Sequence, residues 1–300
     1  MIDLAAVRSL IAVRDHGSVV AAADALDFTP SAVSQQIKRL EHGNRLPMLE
    51  RVGRGVVLTD RGRLLAERGS LLLDQLEELE HLVLAGDDVV AGPFHLATFS
   101  TANRGLVAPL LARLATTTPA LDATVHEGDP RDIVSLVARG QADAGLVHDW
   151  TSMRLDLPDG VESTTLLVDT ADVVLHRDHR LAEADMLSPR DLLEDPWVCT
   201  PAGTICHDWL LHMFAVHDVR PRLPYVDNDY ATHLAMVAAG VAVALVPRLG
   251  RTPLPPDVVV VPVVDPTPQR KVQLIWRRSA TSNPARRHLQ AELETIAREI

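Results

Sequence analysis

Residues 29–41 read TPSAVSQQIKRLE, and their spacing decides how the first quarter of the chain folds. At 3.6 residues per turn Val33, Ile37 and Leu40 share one face of a helix, while Ser31, Ser34, Gln35, Lys38 and Arg39 point away from it. Gln36 lies nearer the apolar stripe but belongs to the same polar set. Thr29 reads as the N-cap, and Pro30 fills the first helical position, where its missing N–H is not needed. One face therefore belongs to a core and the other is presented to something outside.

The elements on either side explain what is presented. Leu4, Val7, Leu10 and Ile11 repeat with helical spacing and His16-Gly17 stops that helix. Ser18 caps a second helix, VVAAADALDF, whose Ala22 and Ala23 allow a close helix crossing. Two short helices, a turn at Asp27-Phe28 and a third helix with a polar outer face make a helix-turn-helix. The stretch LPMLERVGRGVVLT (46–59) then reads as a β-hairpin wing with Arg54 at its tip between Gly53 and Gly55.

Charge supports a polyanionic partner for this region alone. The chain of 300 residues carries a net charge of −11. Between Pro30 and Arg63, however, Lys38, Arg39, Arg45, Arg51, Arg54, Arg61 and Arg63 stand against only Glu41, Glu50 and Asp60. Nucleic-acid affinity comes from local Lys and Arg neutralising phosphates, so the distribution matters more than the total.

From Thr59 the chain runs TDRGRLLAERGSLLLDQLEELEHLVLAG, a linker helix expected over residues 59–86 after a DNA-binding domain over 1–58. Leu65, Leu72 and Leu79 are seven apart, and Leu76 and Val83 fill the second seam position of a dimerisation helix about 40 Å long. A hinge is expected at Gly86-Asp87-Asp88. Beyond it strands and helices alternate: FHLATFS, GLVAPLLARLATTTP, LDATVHE, PRDIVSLVARG and ADAGLV build an α/β lobe. A second lobe takes VDTADVVLH, WVCTP, RLPYVD and VAVALVP as strands, with TICHDWLLHMFAVHD and YATHLAMVAAG as helices. VVVVPVV and KVQLIWRR return the chain, and RRHLQAELETIAREI closes it as an amphipathic helix.

At this level of detail the chain resembles the LysR-type transcriptional regulators over nearly its whole length. The specific residues are SVVAAADALDFTPSAVSQQIKRLE, the wing stretch MLERVGRGVVLT and the TDRG that opens the linker helix. PLLARLATTTPALDATVHEG, ARGQADAGLV and MVAAGVAVALVP look like the effector domain of that family. One departure stands out: Asn44-Arg45 follows the recognition helix where the family commonly has Leu-Gly. The resemblance implies an effector domain over 92–300 with two lobes of the periplasmic-binding-protein type, the first about 92–165 and 268–300, the second about 166–267. It also implies homodimers or homotetramers on double-stranded DNA with interrupted palindromic operators.

Candidate sites follow from chemistry. On the helix of 29–41, Gln bridges adenine, Ser tolerates several bases, and Lys38 and Arg39 suit phosphate or guanine; Arg54 suits phosphate or the minor groove. In α/β lobes, ligands sit beyond the carboxyl ends of strands at helix N-termini, which favour anions. Three such places are Ser100-Thr101, Gly128-Asp129 and Thr200-Pro201, so a small-molecule effector bearing a carboxylate is expected between the lobes. Asp129 reads as a helix cap. If it also faces the cleft, an amine-bearing acid suits the site better than a dicarboxylate.

No catalytic constellation is present in the sequence: neither HExxH nor GxSxG occurs, and His207 and His212 are too far round a helix to pair. Neither a metal site nor a cofactor is expected. Cys199 and Cys206 are too few for a disulfide framework. Peroxide sensors of the resembled family carry a cysteine pair in this region, which leaves a thiol-based redox regulator as an alternative; a solute-binding protein without DNA function is the rival from another class. The amino terminus, broken by Asp3, Arg8, Arg14 and Asp15, lacks the apolar run of a signal peptide or membrane span. The reading is a non-enzymatic, cytoplasmic, ligand-responsive transcriptional regulator.

Overall fold

The computed structural model describes residues 2–53, 55–84 and 90–300; the side chains at 74, 77, 78 and 80–84 lie outside that description, as do Arg54, Val83 and the expected hinge at 86–88. The chain divides into two compact units, Met1–Gly86 and Asp87–Ile300.

The first unit is a winged helix-turn-helix. Helices α1 (Leu4–His16), α2 (Val19–Ala25) and α3 (Pro30–Asn44) precede strands β1 (Leu49–Val52) and β2 (Gly55–Leu58) and helix α4 (Asp60–Leu84). Each start is chemically defined: Asp3, Ser18 and Thr29 accept N–H bonds from Ala5, Ala21 and Ala32 at 3.0, 3.1 and 3.2 Å. Val33, Ile37 and Leu40 are buried in one core with Val7, Leu10, Ala22 and Ala23. Arg45 ends α3 in the left-handed conformation at φ 54°, the position at which glycine is the usual solution. The Asn44-Arg45 departure thus places a side chain where the backbone disfavours one, at roughly 1–2 kcal/mol. Glu41 offsets this by accepting N–H bonds from Met48 (2.8 Å) and Leu49 (3.2 Å), which fixes the entry to the wing.

The linker helix corrects one expectation. Its inner face packs on α1: Ala66 is fully buried, and a Cβ at Gly69 would stand 2.4 Å from Val7 Cγ1. Leu65 lies on the flank of that face, half-buried against its own domain's core, so it is not on the open stripe. The open positions are instead Leu64, Leu71, Leu72 and Leu79, 46, 55, 45 and 57 % exposed. At 100° per residue these four fall within one sector of about 100°.

The second unit has two lobes joined by continuous backbone. Strands β3 (Gly92–Thr98), β4 (Leu121–Glu127) and β5 (Ala144–Trp150) run parallel in the order β4-β3-β5, followed antiparallel by β11 (Gln269–Arg277) and β6 (Val161–His176). Strand β6 pairs with β11 as far as Thr170. From Ala171 onward it pairs with β9 (Ala244–Pro247) and β10 (Val258–Pro262), so one strand serves both lobes. The second lobe adds β7 (Pro196–Cys199) parallel to β8 (Arg222–Val226), with α8 (Ile205–Ala215) and α9 (Tyr230–Ala238). Helix α10 (Pro284–Glu299) returns to pack on the first lobe, where Leu289, Leu293 and Ile296 are buried.

Two local features were not anticipated. The helix after β3 begins at Ser100, not at Gly105: α5 (Ser100–Ala102) runs through a π-helical turn (Asn103–Val107) into α6 (Ala108–Thr117). Such turns occur where a helix is adjusted to a functional site. The lobes are also stitched by aromatic packing, with Trp150 at the end of β5 stacked on Trp209 of α8, ring centroids 5.0 Å apart and planes within 5°.

Candidate functional site

In the first unit, Ser31, Gln35, Lys38 and Arg39 are exposed on the outer face of α3 and Ser34 is half-buried beside them. Gln36 departs from that set. Its side chain turns inward to the buried Ser9 hydroxyl and ties α3 to α1, so it is not presented with the others. The reason is geometric: on the helical wheel Gln36 sits beside the apolar stripe, and Ser9 offers it a buried partner.

In the second unit, Ser100, Thr101, Gly128, Asp129 and Thr200 line one cleft of about 190 Å3 between the lobes. Pro201 is not part of its wall. The structure adds residues that sequence reasoning missed, chiefly Arg270, His148, Tyr230, Glu127, Thr204 and Cys206. Arg270 and His148 left a signal: each is a polar residue on a strand face whose other positions are apolar and buried, where a buried side chain requires partners.

Arg270 organises the cleft. It is 1 % exposed, donates from Nε to Asp169 Oδ2 at 2.9 Å and from Nη2 to Thr101 Oγ1 at 2.8 Å, and lies over the rings of Phe99 and Trp150. Its Nη1 has no hydrogen-bond partner among the described residues. Asp169 in turn accepts the N–H of Leu249 at 3.0 Å, so this buried pair touches β6, β11, α5 and the segment after β9 together. Gly250, next to Leu249, leaves no room for a side chain: a Cβ there would be 2.1 Å from the Thr101 carbonyl oxygen.

The three helix starts differ in what they offer. Phe99 gives α5 no side-chain cap, so the N–H groups of its first turn are left to solvent or a ligand. Asp129 caps α7 (Pro130–Ala138) through Arg131 N (3.0 Å), and its second oxygen accepts the N–H of Ile205 at the start of α8 (3.1 Å). Arg131 adds bonds to Gly203 O (2.9 Å) and Asp208 Oδ2 (2.7 Å). The first turn of α8 is thus held by the other lobe's carboxylate.

Burial controls the titrating groups of the wall. It pushes His148 well below the ordinary histidine value, helped by the Arg270 charge, and raises Tyr230 well above the usual phenol value. Both thiols are pushed up for the same reason. Cys199 is buried with its sulfur against Tyr225 O, whereas Cys206 lines the cleft with Sγ 3.8 Å from His148 Nε2. Among the described residues no cluster of His, Cys, Asp and Glu could hold a metal ion, and no helix is long and apolar enough to cross a membrane.

A winged helix-turn-helix with a basic outer helix, joined in one chain to a two-lobed domain with a polar cleft, defines a DNA-binding regulator that reads a small molecule. Residues 4–63 match the family model "Bacterial regulatory helix-turn-helix protein, lysR family" and residues 87–297 match "LysR substrate binding domain". The chain belongs to the LysR family of transcriptional regulators, which are not enzymes. Among similar proteins are a hydrogen peroxide-inducible genes activator of Pectobacterium carotovorum, 23 % identical with 96 % of this chain and 97 % of that protein covered, and the regulator YvbU of Bacillus subtilis, 26 % identical with 88 % of each covered. Among solved structures, a full-length OxyR variant of Pseudomonas aeruginosa superposes with a TM-score of 0.73 at 20 % identity, covering 99 % of this chain and 95 % of that one. CbnR complexed with its target DNA gives 0.55 at 20 % identity over 99 % of both chains. The match over residues 4–63 sets aside the solute-binding rival.

The buried histidines have a pH consequence. His148 and His233 are held below the ordinary value of about 6.5, so the stability they contribute is complete above that pH. Below it the unfolded chain takes up protons that the fold refuses, and stability falls by up to about 1.4 kcal/mol per pH unit for each histidine. Urea unfolding between pH 7.5 and 5.5 should show this decline, and His148→Gln should flatten it; an unchanged slope in the variant contradicts the assignment.

Proposed function

We propose that α3 reads operator DNA in the major groove through Ser31, Ser34, Gln35, Lys38 and Arg39, and that the interlobe cleft binds a small organic effector bearing a carboxylate. The observation that carries the first half is the outer face of α3, polar and basic on a helix whose apolar residues Val33, Ile37 and Leu40 are turned inward. A recognition helix offers its N-terminal residues to base edges and its later basic residues to phosphates. The second half is carried by the donors that converge on one cleft: the open N–H groups at the start of α5 and the buried Arg270. The protein works in the cytoplasm, where its DNA partner is, and the operator is an interrupted palindrome matching a two-fold assembly.

The assembly is a homodimer or homotetramer joined through α4. Leu64, Leu71, Leu72 and Leu79 form an apolar stripe that the protein's own described residues leave exposed, and the relative bound to its target DNA shares this fold. Burying an unpaired charge in such a seam is unfavourable by several kcal/mol. Leu72→Asp should therefore dissociate the oligomer in sedimentation and abolish tight operator binding; retention of both would place the seam elsewhere.

A thiol switch is the second reading, favoured by one observation: Cys206 lies in the first turn of α8 on the cleft wall beside His148. Burial acts against it by keeping the thiol protonated, since the thiolate is the nucleophile. Operator affinity that responds to hydrogen peroxide in the wild type and not in Cys206→Ser would select this reading over a bound effector.

The DNA half is tested by binding to a selected operator and to random duplex. Gln35→Ala should lose about 1–3 kcal/mol on the operator and almost nothing on random DNA. Lys38→Ala should weaken both and reduce the salt slope by about one. Equal losses for Gln35→Ala on the two DNAs would remove its base-reading role.

A further inference from the structure

The cleft offers a ligand one anion seat, not two. Two helix starts face each other across it, α5 from the first lobe and α8 from the second. The Asp129 carboxylate already occupies the start of α8 through the Ile205 N–H, and Arg131 holds that approach closed through Gly203 and Asp208. What remains open to an anion is the uncapped turn at Ser100 and Thr101, together with the Nη1 of Arg270, a side chain 1 % exposed. This last group makes no hydrogen bond to the described residues and belongs to a side chain that lines the cleft, so it marks a ligand position independently of the helix start.

The charges on the wall point the same way. Glu127 and Asp129 line the cleft on one side and Arg270 on the other, while the Arg270 charge is already matched behind the wall by the buried Asp169. His148 is kept neutral by its burial, so it adds no positive charge. A second carboxylate on the ligand would meet a wall of net negative charge. Asp129 accepts one N–H on each oxygen, which leaves half of its acceptor capacity unused. Among the described residues Glu127 accepts only a long bond from Asn103 Nδ2, at 3.4 Å.

Resting on the cleft assignment above, we infer that the effector is a zwitterion of the amino-acid type. Its carboxylate lies against the start of α5 and Arg270, and its ammonium group lies against Asp129 and Glu127. Asp129 is then a specificity-determining residue twice over: it fills the place a second ligand carboxylate would need, and it supplies the acceptor an ammonium needs. A ligand without the ammonium leaves the half-buried Asp129 without that partner, and the site discriminates against it by that loss.

The test uses the full-length protein in thermal-shift and calorimetric titrations against the common L-amino acids, their N-acetyl counterparts and succinate. At least one free amino acid should raise the melting temperature, and its N-acetyl form should bind about a hundredfold more weakly. Asp129→Asn should weaken that amino acid at least about tenfold and admit succinate, with Glu127→Gln as the milder variant should Asp129→Asn fail to fold. Succinate binding the wild type as well as any amino acid, an affinity indifferent to N-acetylation, or no binding by any amino acid overturns the inference. Ser100→Phe separates this outcome from failure of the cleft itself: a bound succinate that Ser100→Phe expels leaves the cleft standing and removes only the zwitterion.

Discussion

The buried contact between Arg270 and Asp169 is the constraint on which the effector domain depends. A guanidinium and a carboxylate removed from water must satisfy each other closely, and removing one partner from such a pair is unfavourable by about 3–5 kcal/mol. Here the pair does more than balance charge. Asp169 holds the Leu249 N–H beside the lobe crossing, and Arg270 holds the Thr101 hydroxyl at the start of α5. Strand β6 passes from one lobe's sheet to the other's immediately after Asp169, at Thr170 and Ala171. A ligand that engages Arg270 therefore acts at the point where the lobes share backbone, which is where a small change in contact has the largest lever on their relative arrangement.

The two lobes are closed on each other by chemistry of three kinds. Trp150 stacks on Trp209, Arg131 reaches across to Gly203 and Asp208, and Asp129 caps helices from both sides of the cleft. The aromatic contact is apolar and insensitive to charge, whereas the Asp129 and Arg131 contacts are partly exposed and open to competition from a ligand's polar groups. The strong contact lies deep and the exchangeable ones lie at the mouth. That division lets the domain stay folded while the cleft rearranges.

Much of the N-terminal unit was legible in the sequence because its signals are local. Thr29-Pro30, Ser18 and Gly17 mark helix ends by their own chemistry, and Val33, Ile37 and Leu40 show their face by spacing alone. Gln36 and Leu65 illustrate the limit. Each sits at the edge of a helical stripe, and what decides its role is a partner far along the chain, Ser9 for one and the core under α1 for the other. The cleft was legible only in part for the same reason. Ser100, Gly128 and Thr200 stand at strand-to-helix turns and announce themselves, but Arg270 reaches Thr101 from 169 positions away, and the contact from Asp129 to Ile205 spans 76. No local pattern encodes those pairings.

The central claim is that the cleft and the outer face of α3 are two ends of one regulator, and reciprocal coupling between them is its physical signature. The most direct measurement is fluorescence anisotropy of the full-length protein on a selected operator, with and without a saturating compound found to bind the cleft. The account predicts that the compound changes operator affinity by about 5- to 150-fold, and that Ser100→Phe, which obstructs the cleft, removes the change while leaving ligand-free DNA binding intact. An operator affinity indifferent to the compound, or a change that survives Ser100→Phe, would contradict it.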